Sequence, residues 1–282
     1  MPLLAGSTPP WPPADDYVLD LSGLTFASPF DLVGLATLVL ATPPEYEIGL
    51  TPPSDAGVAN YLLRMDLLRL VESRVHVDPP FAPEQPRVGS PALIELRALA
   101  YPDQFDDESE DLWPRLLSRL PQAVCVALFE ILGELVDNAA THGRSPCGTL
   151  IAAQYYSGAT SGMPEGFWIG VADAGIGIRN HLRQNPAYAA KVPTDAAAIR
   201  LAVRRGVTGT VDRRGYGLPT ALAEAGSLAP GRVTIRSGTG EATFYVGASC
   251  VETARYRVAR PIPGTWVHVL AGHRDGPIDK MG

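Results

Sequence analysis

The stretch Ala123–His142 limits the fold of this chain more than any other. Leu128, Ile131, Leu132, Leu135, Val136 and Ala139 recur at helical spacing and form one apolar face, while Glu130, Glu134, Asp137, Asn138, Thr141 and His142 form a polar stripe. A helix of this kind must bury its apolar side against a sheet or another helix. Gly143 is placed to stop it. Glu134 and Asn138 are four residues apart, so a carboxylate and an amide oxygen stand one turn above the other over a small common volume. Taken alone, the stripe suits a solvated helix face equally well. The sequence Glu134-Leu-Val-Asp-Asn138-Ala-Ala-Thr-His142-Gly143 favours a functional one.

Around this helix the pattern changes period. Tyr17–Leu21 reads as a short buried strand, and a second apolar segment ends at Phe26. Ser28-Pro29 offers an N-cap followed by a first-turn proline, opening a helix from Phe30 to Leu40. A strand over Tyr46–Leu50 and a helix over Ala56–Val71 complete a small βαβα unit, too small for a comfortable independent core and expected to dock on the rest. Residues 79–91 are a proline-dense connector. Ala92–Ala100 fits strand or helix, with strand preferred. A helix is expected over Asp106–Leu120. Strands are expected over Thr149–Tyr156 and Phe167–Ala172, a hairpin joined by a Gly/Ser/Thr loop. Further helices are expected over Ala196–Arg205 and from Gly215 to about Ala225, and strands over Arg232–Ser237, Ala242–Val246 and Thr265–Leu270. The domain reading is a flexible N-terminus to residue 16, a unit over 17–78, the linker 79–91, a larger domain over 92–271 and a tail over 272–282.

Composition narrows the function classes. The 282 residues carry a net charge of −7, which disfavours a general binder of nucleic acid or anionic membrane. Lysine occurs only at Lys191 and Lys280, and no Gly-Lys pair exists, which removes the Walker-type phosphate loop. The scarcity of lysine also disfavours a protein-kinase fold of the eukaryotic type, since none sits in an early strand to pair with nucleotide phosphates. Cys125, Cys147 and Cys250 are far apart without metal or redox spacing, which suits reduced thiols. Met1–Asp16 has no leader-like run, and the longest apolar run, Leu32–Ala41, is too short to cross a bilayer. A cytoplasmic location without membrane contact is expected.

Two glycine-rich segments follow the long helix. Asp173-Ala-Gly175-Ile-Gly177 ends a strand; its glycines allow positive φ and close approach of a flat ligand, and a buried aspartate there can accept a hydrogen bond from an exocyclic amine. Guanine presents an acceptor at the equivalent place, so such a carboxylate selects adenine. A dinucleotide-fold reading is poorer, because Asn180 stands where the third glycine belongs. Gly215-Tyr216-Gly217-Leu218-Pro219 opens a helix whose exposed first-turn amides and dipole form an anion site. Either segment alone also suits an ordinary turn or a capped structural helix.

Asn138 precedes Asp173 by 35 residues and Gly177 precedes Gly215 by 38, with an arginine-bearing span between. In combination the three segments resemble the asparagine box and the two glycine boxes of the GHKL (HATPase) superfamily over roughly Ala92–Ala271. The resemblance implies a Bergerat-type α+β sandwich, a mixed sheet with helices on one face, that binds ATP and magnesium. It implies Glu134 as general base, Asn138 as magnesium ligand, Asp173 as the adenine-reading carboxylate, Gly175 and Gly177 as the first glycine box, and Gly215, Tyr216, Gly217 and Leu218 as the second. Ile178–Arg214 would be the ATP lid.

Histidine kinases usually place asparagine where this chain has Glu134, and His76, His142, His181, His268 and His273 lack a phospho-acceptor context. Glu134–Gly143 is similar to the anti-sigma serine kinases, and Tyr17–Val71 resembles a STAS domain, the fold of their partners. The implied partners are a sigma-factor or STAS-type regulatory protein and a second copy of the chain. Ser28 lies near the usual phospho-acceptor of such partners, but Pro29 and Asp31 depart from the pattern, and helix capping is the favoured role. Arg200, Arg204, Arg205, Arg213 and Arg214 are candidates to clamp a γ-phosphate or to form a solvated face. Rival readings are an ATP-driven conformational switch and a nucleotide-binding interaction module without turnover.

Overall fold

The computed structural model describes residues 11–81, 92–100, 114, 117, 122–143, 145–156, 165–209, 217–228, 231–247 and 250–272. The linker over 82–91, the tail beyond 272 and almost all of the helix expected over Asp106–Leu120 fall outside them.

In the N-terminal unit, β1 (Tyr17–Asp20), β2 (Ile48–Thr51) and β3 (His76–Val77) form a parallel sheet in the order β1-β2-β3. Helix α1 (Pro29–Ala41) is the crossover between β1 and β2. Its start follows from chemistry already in the sequence: the Ser28 side chain accepts the Asp31 N–H, the Asp31 carboxylate accepts the Ser28 N–H at 2.9 Å, and Pro29 occupies the first turn. The Ser28 hydroxyl is buried and donates to Asp31 Oδ2 at 2.6 Å, so it is committed to the cap. The single helix expected over Ala56–Val71 is instead two, α2 (Ala56–Arg64) and α3 (Leu67–Val71). The chain turns between them at Asp66, which has a left-handed φ of 60° and whose carboxylate accepts from Arg97 Nη1 at 2.8 Å. Trp11 packs on this unit and Asp16 Oδ1 accepts the Glu47 N–H, so the packed unit begins before Tyr17.

The remaining described chain builds a five-stranded sheet in the order β4-β5-β6-β8-β7 from β4 (Ala92–Leu99), β5 (Thr149–Tyr156), β6 (Gly166–Asp173), β7 (Gly231–Gly247) and β8 (Cys250–Gly272). Each neighbouring pair is antiparallel. The larger sheet, expected to be mixed, is antiparallel at every described pair, and the parallel pairs lie in the N-terminal sheet. One face of the larger sheet carries α4 (Gln122–Asn138), α5 (Gly177–Arg183), α6 (Pro186–Ala189), α7 (Asp195–Ala202) and α8 (Gly217–Leu228). The C-terminal strands are longer than expected. β7 and β8 continue past a bulge at Gly238 as a hairpin, with Ala242, Phe244 and Val246 buried in the helical core.

The opposite face is covered by α1. Alternate residues of each strand divide between the two sides, with Ile151, Ala153, Ile169 and Val171 in the helical core, and Leu150, Ala152, Ala172 and Trp266 in the core shared with α1. The helix and sheet approach so closely that both need glycine. A Cβ at Gly34 would stand 2.8 Å from the Trp266 ring, and one at Gly170 would stand 2.6 Å from the Pro29 carbonyl oxygen and 2.8 Å from Phe30 Cα. Docking of the small unit was expected; its mode, a helix between two sheets, was not legible from one sequence.

Because the atoms facing Gly170 are backbone, they cannot rotate aside. Gly170→Ala is expected to push α1 off the sheet and lower stability by about 1–3 kcal/mol, read as a lower urea midpoint with an unchanged slope. An unchanged midpoint would show that the interface can yield at no cost.

Candidate functional site

Three chain segments meet at one end of β6. The first is the end of α4, which passes into a π-helical turn over Ala139–Gly143. Such turns interrupt the regular ladder and are frequent at functional sites. Asn138, the last α-helical residue, donates from Nδ2 to the Glu134 carbonyl at 2.6 Å. Its Oδ1 has no partner among the described residues.

The second segment is the end of β6. Asp173 lies between Thr149 and Thr265 of the neighbouring strands and is 3% exposed. Its Oδ1 accepts the Gly175 N–H at 2.7 Å. Burial pushes its carboxyl up to about 7, against the pull of the Gly175 and Thr265 backbone N–H groups. Gly264, with φ of 61°, allows the turn before Thr265 to press on it, since a Cβ there would stand 2.1 Å from the Asp173 carbonyl oxygen. Gly177 opens α5 with φ of 74°, and the Ser237 hydroxyl accepts the next amide, Ile178 N–H, at 2.9 Å.

The third segment is the start of α8. A Cβ at Gly217 would stand 2.0 Å from Asn138 Nδ2, so glycine is what lets the start of α8 close on the end of α4. Gly217, Leu218 and Pro219 face the same space as Asn138, Asp173 and Gly177. The cleft they line measures about 740 Å³ with the open space at its mouth included.

Of the residues expected at the site, Asn138, Asp173, Gly177, Gly217 and Leu218 line this cleft. Gly175 is not part of the lining; its N–H donates to Asp173 Oδ1. Glu134 stands one turn back on α4 and does not line the cleft; what Asn138 touches is its carbonyl, not its carboxylate. Burial and the carboxylates of Asp137 and Glu130 push the Glu134 carboxyl up. Gly215 and Tyr216, with Arg213 and Arg214, lie outside the described residues.

The cleft also takes residues that sequence reasoning missed. Thr265 comes in through the β6–β8 register, His181 from α5 itself, and Val207 and Thr208 from the connection between α7 and α8. His181 Nε2 accepts the Gly209 N–H at 2.9 Å, and Asn185 Nδ2 donates to the Thr208 carbonyl at 3.1 Å, so this connection is fastened to α5. The span expected as a lid is packed as far as Gly209. Ala198 and Ile199 are fully buried, and Asp195 accepts from both the N–H and hydroxyl of Thr239 at 2.8 Å.

No described lysine or arginine lines the cleft. Arg200 lies over the Tyr256 ring at 4.4 Å, and Arg204 and Arg205 are exposed. Arg257 donates to the buried Glu241 at 2.6 Å, and Arg255 lies 5.3 Å from the Tyr245 ring, so these C-terminal arginines have partners inside the hairpin. No group of three or more metal-ligating side chains occurs among the described residues. Nor is any helix among them long and apolar enough to cross a membrane.

Comparison with known proteins finds no family model that matches the chain and no curated protein that matches it.

The buried Asp173 carboxyl predicts a pH dependence. Its folded value, about 7, lies above the ordinary 3.8, so the folded state holds the proton more tightly than the unfolded chain. The stabilisation is fully present below about pH 4 and is lost as pH rises to about 7, an effect on the order of a few kcal/mol. Asp173→Asn keeps the shape and removes the titration. Urea unfolding across this window is expected to lose stability with rising pH in the parent relative to the variant; parallel profiles would refute the assignment.

Proposed function

We propose that this chain is a regulatory protein of the GHKL type that binds Mg-ATP in the Asp173 cleft and passes the γ-phosphate to a hydroxyl of a partner protein or to water. The observation that carries this reading is the meeting of Asp173 and Asn138 in one cleft with Gly177 and Gly217, each glycine standing where a Cβ would collide with a neighbour.

The residues present fit such a ligand. Asp173 offers a buried acceptor that a 6-amino purine satisfies and a 6-oxo purine does not. The apolar side chains of Val171, Ile178 and Leu182 give a flat ring a dry wall. The unpartnered Oδ1 of Asn138 would hold magnesium, which needs only one or two protein oxygens. The start of α8 supplies backbone amides and the positive end of a helix dipole to phosphate oxygens. When bound, ATP supplies the phosphoryl group and magnesium offsets its charge. Glu134, with its carboxyl pushed up by burial and by Asp137 and Glu130, would take the proton of the accepting hydroxyl from just outside the lining.

A second reading, a nucleotide-driven switch or interaction module without turnover, draws support from that same placement of Glu134 outside the cleft. The parallel βαβ arrangement of the N-terminal unit supports the STAS-like reading. With Ser28 buried in its cap, the phosphate acceptor belongs on another chain, a sigma-factor or STAS-type regulator in the cytoplasm, and a second copy of this chain is the remaining partner to test.

Asp173→Asn is expected to weaken ATP binding by at least about tenfold in a calorimetric titration and to narrow the preference for ATP over GTP. Equal affinity in parent and variant would overturn the adenine role. Glu134→Ala is expected to keep nucleotide affinity and lose release of labelled phosphate. Full turnover in that variant rejects the base, whereas binding without turnover in the parent selects the second reading.

A further inference from the structure

β8 is paired on both sides along only part of its length. β6 joins it from Thr265 to Gly272, whereas the stretch from Cys250 to Val258 pairs with β7 alone. Among the described residues, no strand lies on the other side of that stretch. Val258 is 81% exposed and Val251 44%, and Ala254, Arg255, Arg257 and Arg260 are exposed as well. A strand paired on one side leaves a row of backbone N–H and C=O groups facing outward, a template on which a further strand can add.

This edge is basic in a chain that is acidic overall. Residues 231–261 hold five arginines and two glutamates, against a total charge of −7. Glu241 is buried and is already held by two of the arginines, Arg257 at 2.6 Å and Arg236 at 3.5 Å. Arg257 spends only its Nε in that bond, and Arg255 meets only the Tyr245 ring, at 5.3 Å. The other guanidinium N–H groups of these two exposed side chains have no partner among the described residues.

The two faces of the strand differ. Arg255 and Arg257 stand on the side of Tyr245 and Glu241. Ala254, Tyr256 and Val258 alternate to the other side, where the Tyr256 ring meets Phe244 and lies under Arg200. A segment adding here meets guanidinium groups on one face and mainly apolar surface on the other. A second copy of this strand would set arginine near arginine, and like charges across a pair are destabilising. Nucleic acid would meet the arginines but has no ladder of N–H and C=O groups to match the open backbone, and the total charge repels it. An extended peptide with alternate carboxylates uses both features.

We propose that residues 250–260 of β8 are a docking edge for an extended acidic segment of a partner protein, which adds as a further strand with carboxylates on Arg255 and Arg257 and apolar side chains against Ala254 and Val258. The edge shares no residue with the lining of the nucleotide cleft, so the inference stands apart from the ATP reading.

The test uses the full chain and a blocked peptide of alternating glutamate and valine, about eight residues long. Comparison ligands are the same residues arranged in two blocks, a peptide of alternating lysine and valine, and oligothymidylate. Calorimetry is expected to show saturable binding of the alternating acidic peptide at least about tenfold tighter than any of the three. N-methylation of every glutamate, or of every valine, removes the N–H groups along one edge of the peptide strand, and one of the two sets is expected to abolish binding. Arg255→Glu is expected to weaken binding by about fivefold or more. In the parent, the peptide is expected to slow amide exchange within residues 250–260 and leave α4 unchanged, and this decides the matter should the variant fail to fold. Absence of saturable binding, equal binding of the block or lysine peptide, or undiminished affinity of both N-methylated peptides would each overturn the proposal. So would unchanged affinity in folded Arg255→Glu, or protection confined to other segments. Tighter binding of oligothymidylate would also overturn it and assign the edge to nucleic acid.

Discussion

Helix α1 has no polar face to offer to water. From Pro29 to Val39 every residue is buried, including Leu32, Val33, Leu35 and Leu38, and a helix apolar all round must be covered all round. The chain meets this requirement with two sheets, a small parallel one on one side and the back of the five-stranded one on the other. Gly34 and Gly170 remove the side chains that would hold the layers apart. Each fully buried leucine or valine contributes about 1.5–3 kcal/mol, so this seam is a large share of the hydrophobic term for both units. It also explains why β6, buried on both faces, reads as a near-continuous apolar run rather than an alternating one.

The same strand carries the seam and the candidate site. Gly170 is pinned against α1, and three residues later Asp173 ends the strand beneath the helices of the other face. The strand's register with β5 and β8 is set by two buried faces, where a slip of one residue would exchange cores, so Asp173 is held in place by packing along the whole strand. That rigidity bears on chemistry. A buried acceptor that cannot move is a selective one, because a ligand group of the wrong polarity leaves it unpaired at a cost of about 1–3 kcal/mol. Asn138 and the start of α8 reach the cleft from a helix end and a helix start, where backbone groups are left unsatisfied by the helices themselves.

How far the sequence foretold this depends on how local the information was. The cap of α1, the apolar periodicity of α4 and the strands β5 and β6 rest on residues near one another in the chain, and their positions were legible to within a few residues. The meeting of Asn138, Asp173, Gly177, Gly217 and Leu218 in one cleft came from spacing and resemblance together. Thr265, His181 and Thr208 carried no local signal, because they reach the cleft through strand register and through a hydrogen bond to Gly209. The continuation of β8 through Arg255, Arg257, Val258 and Arg260 was hidden by its charge, which the structure accounts for with Glu241 and the Tyr245 ring. Helical spacing set Glu134 over the same volume as Asn138, but spacing says nothing of side-chain direction. The short amide of Asn138 turned back onto the Glu134 carbonyl, and the Glu134 carboxylate stayed outside the lining.

A glycine-bounded, arginine-rich span suggests a flap, yet as far as Gly209 it is a wall. Ala198 and Ile199 of α7 have no exposed surface, and burying an isoleucine alone contributes about 1.5–3 kcal/mol. Asp195 at the start of α7 binds Thr239 on β7, where Gly238 and Gly240 give it room, and the Arg179 guanidinium donates to the Val192 and Pro193 carbonyls from α5. Lifting this layer would expose apolar core and break all of these bonds together. The shape of the cleft between Asp173 and α7 is therefore a property of the fold, set by packing rather than by the closing of a lid.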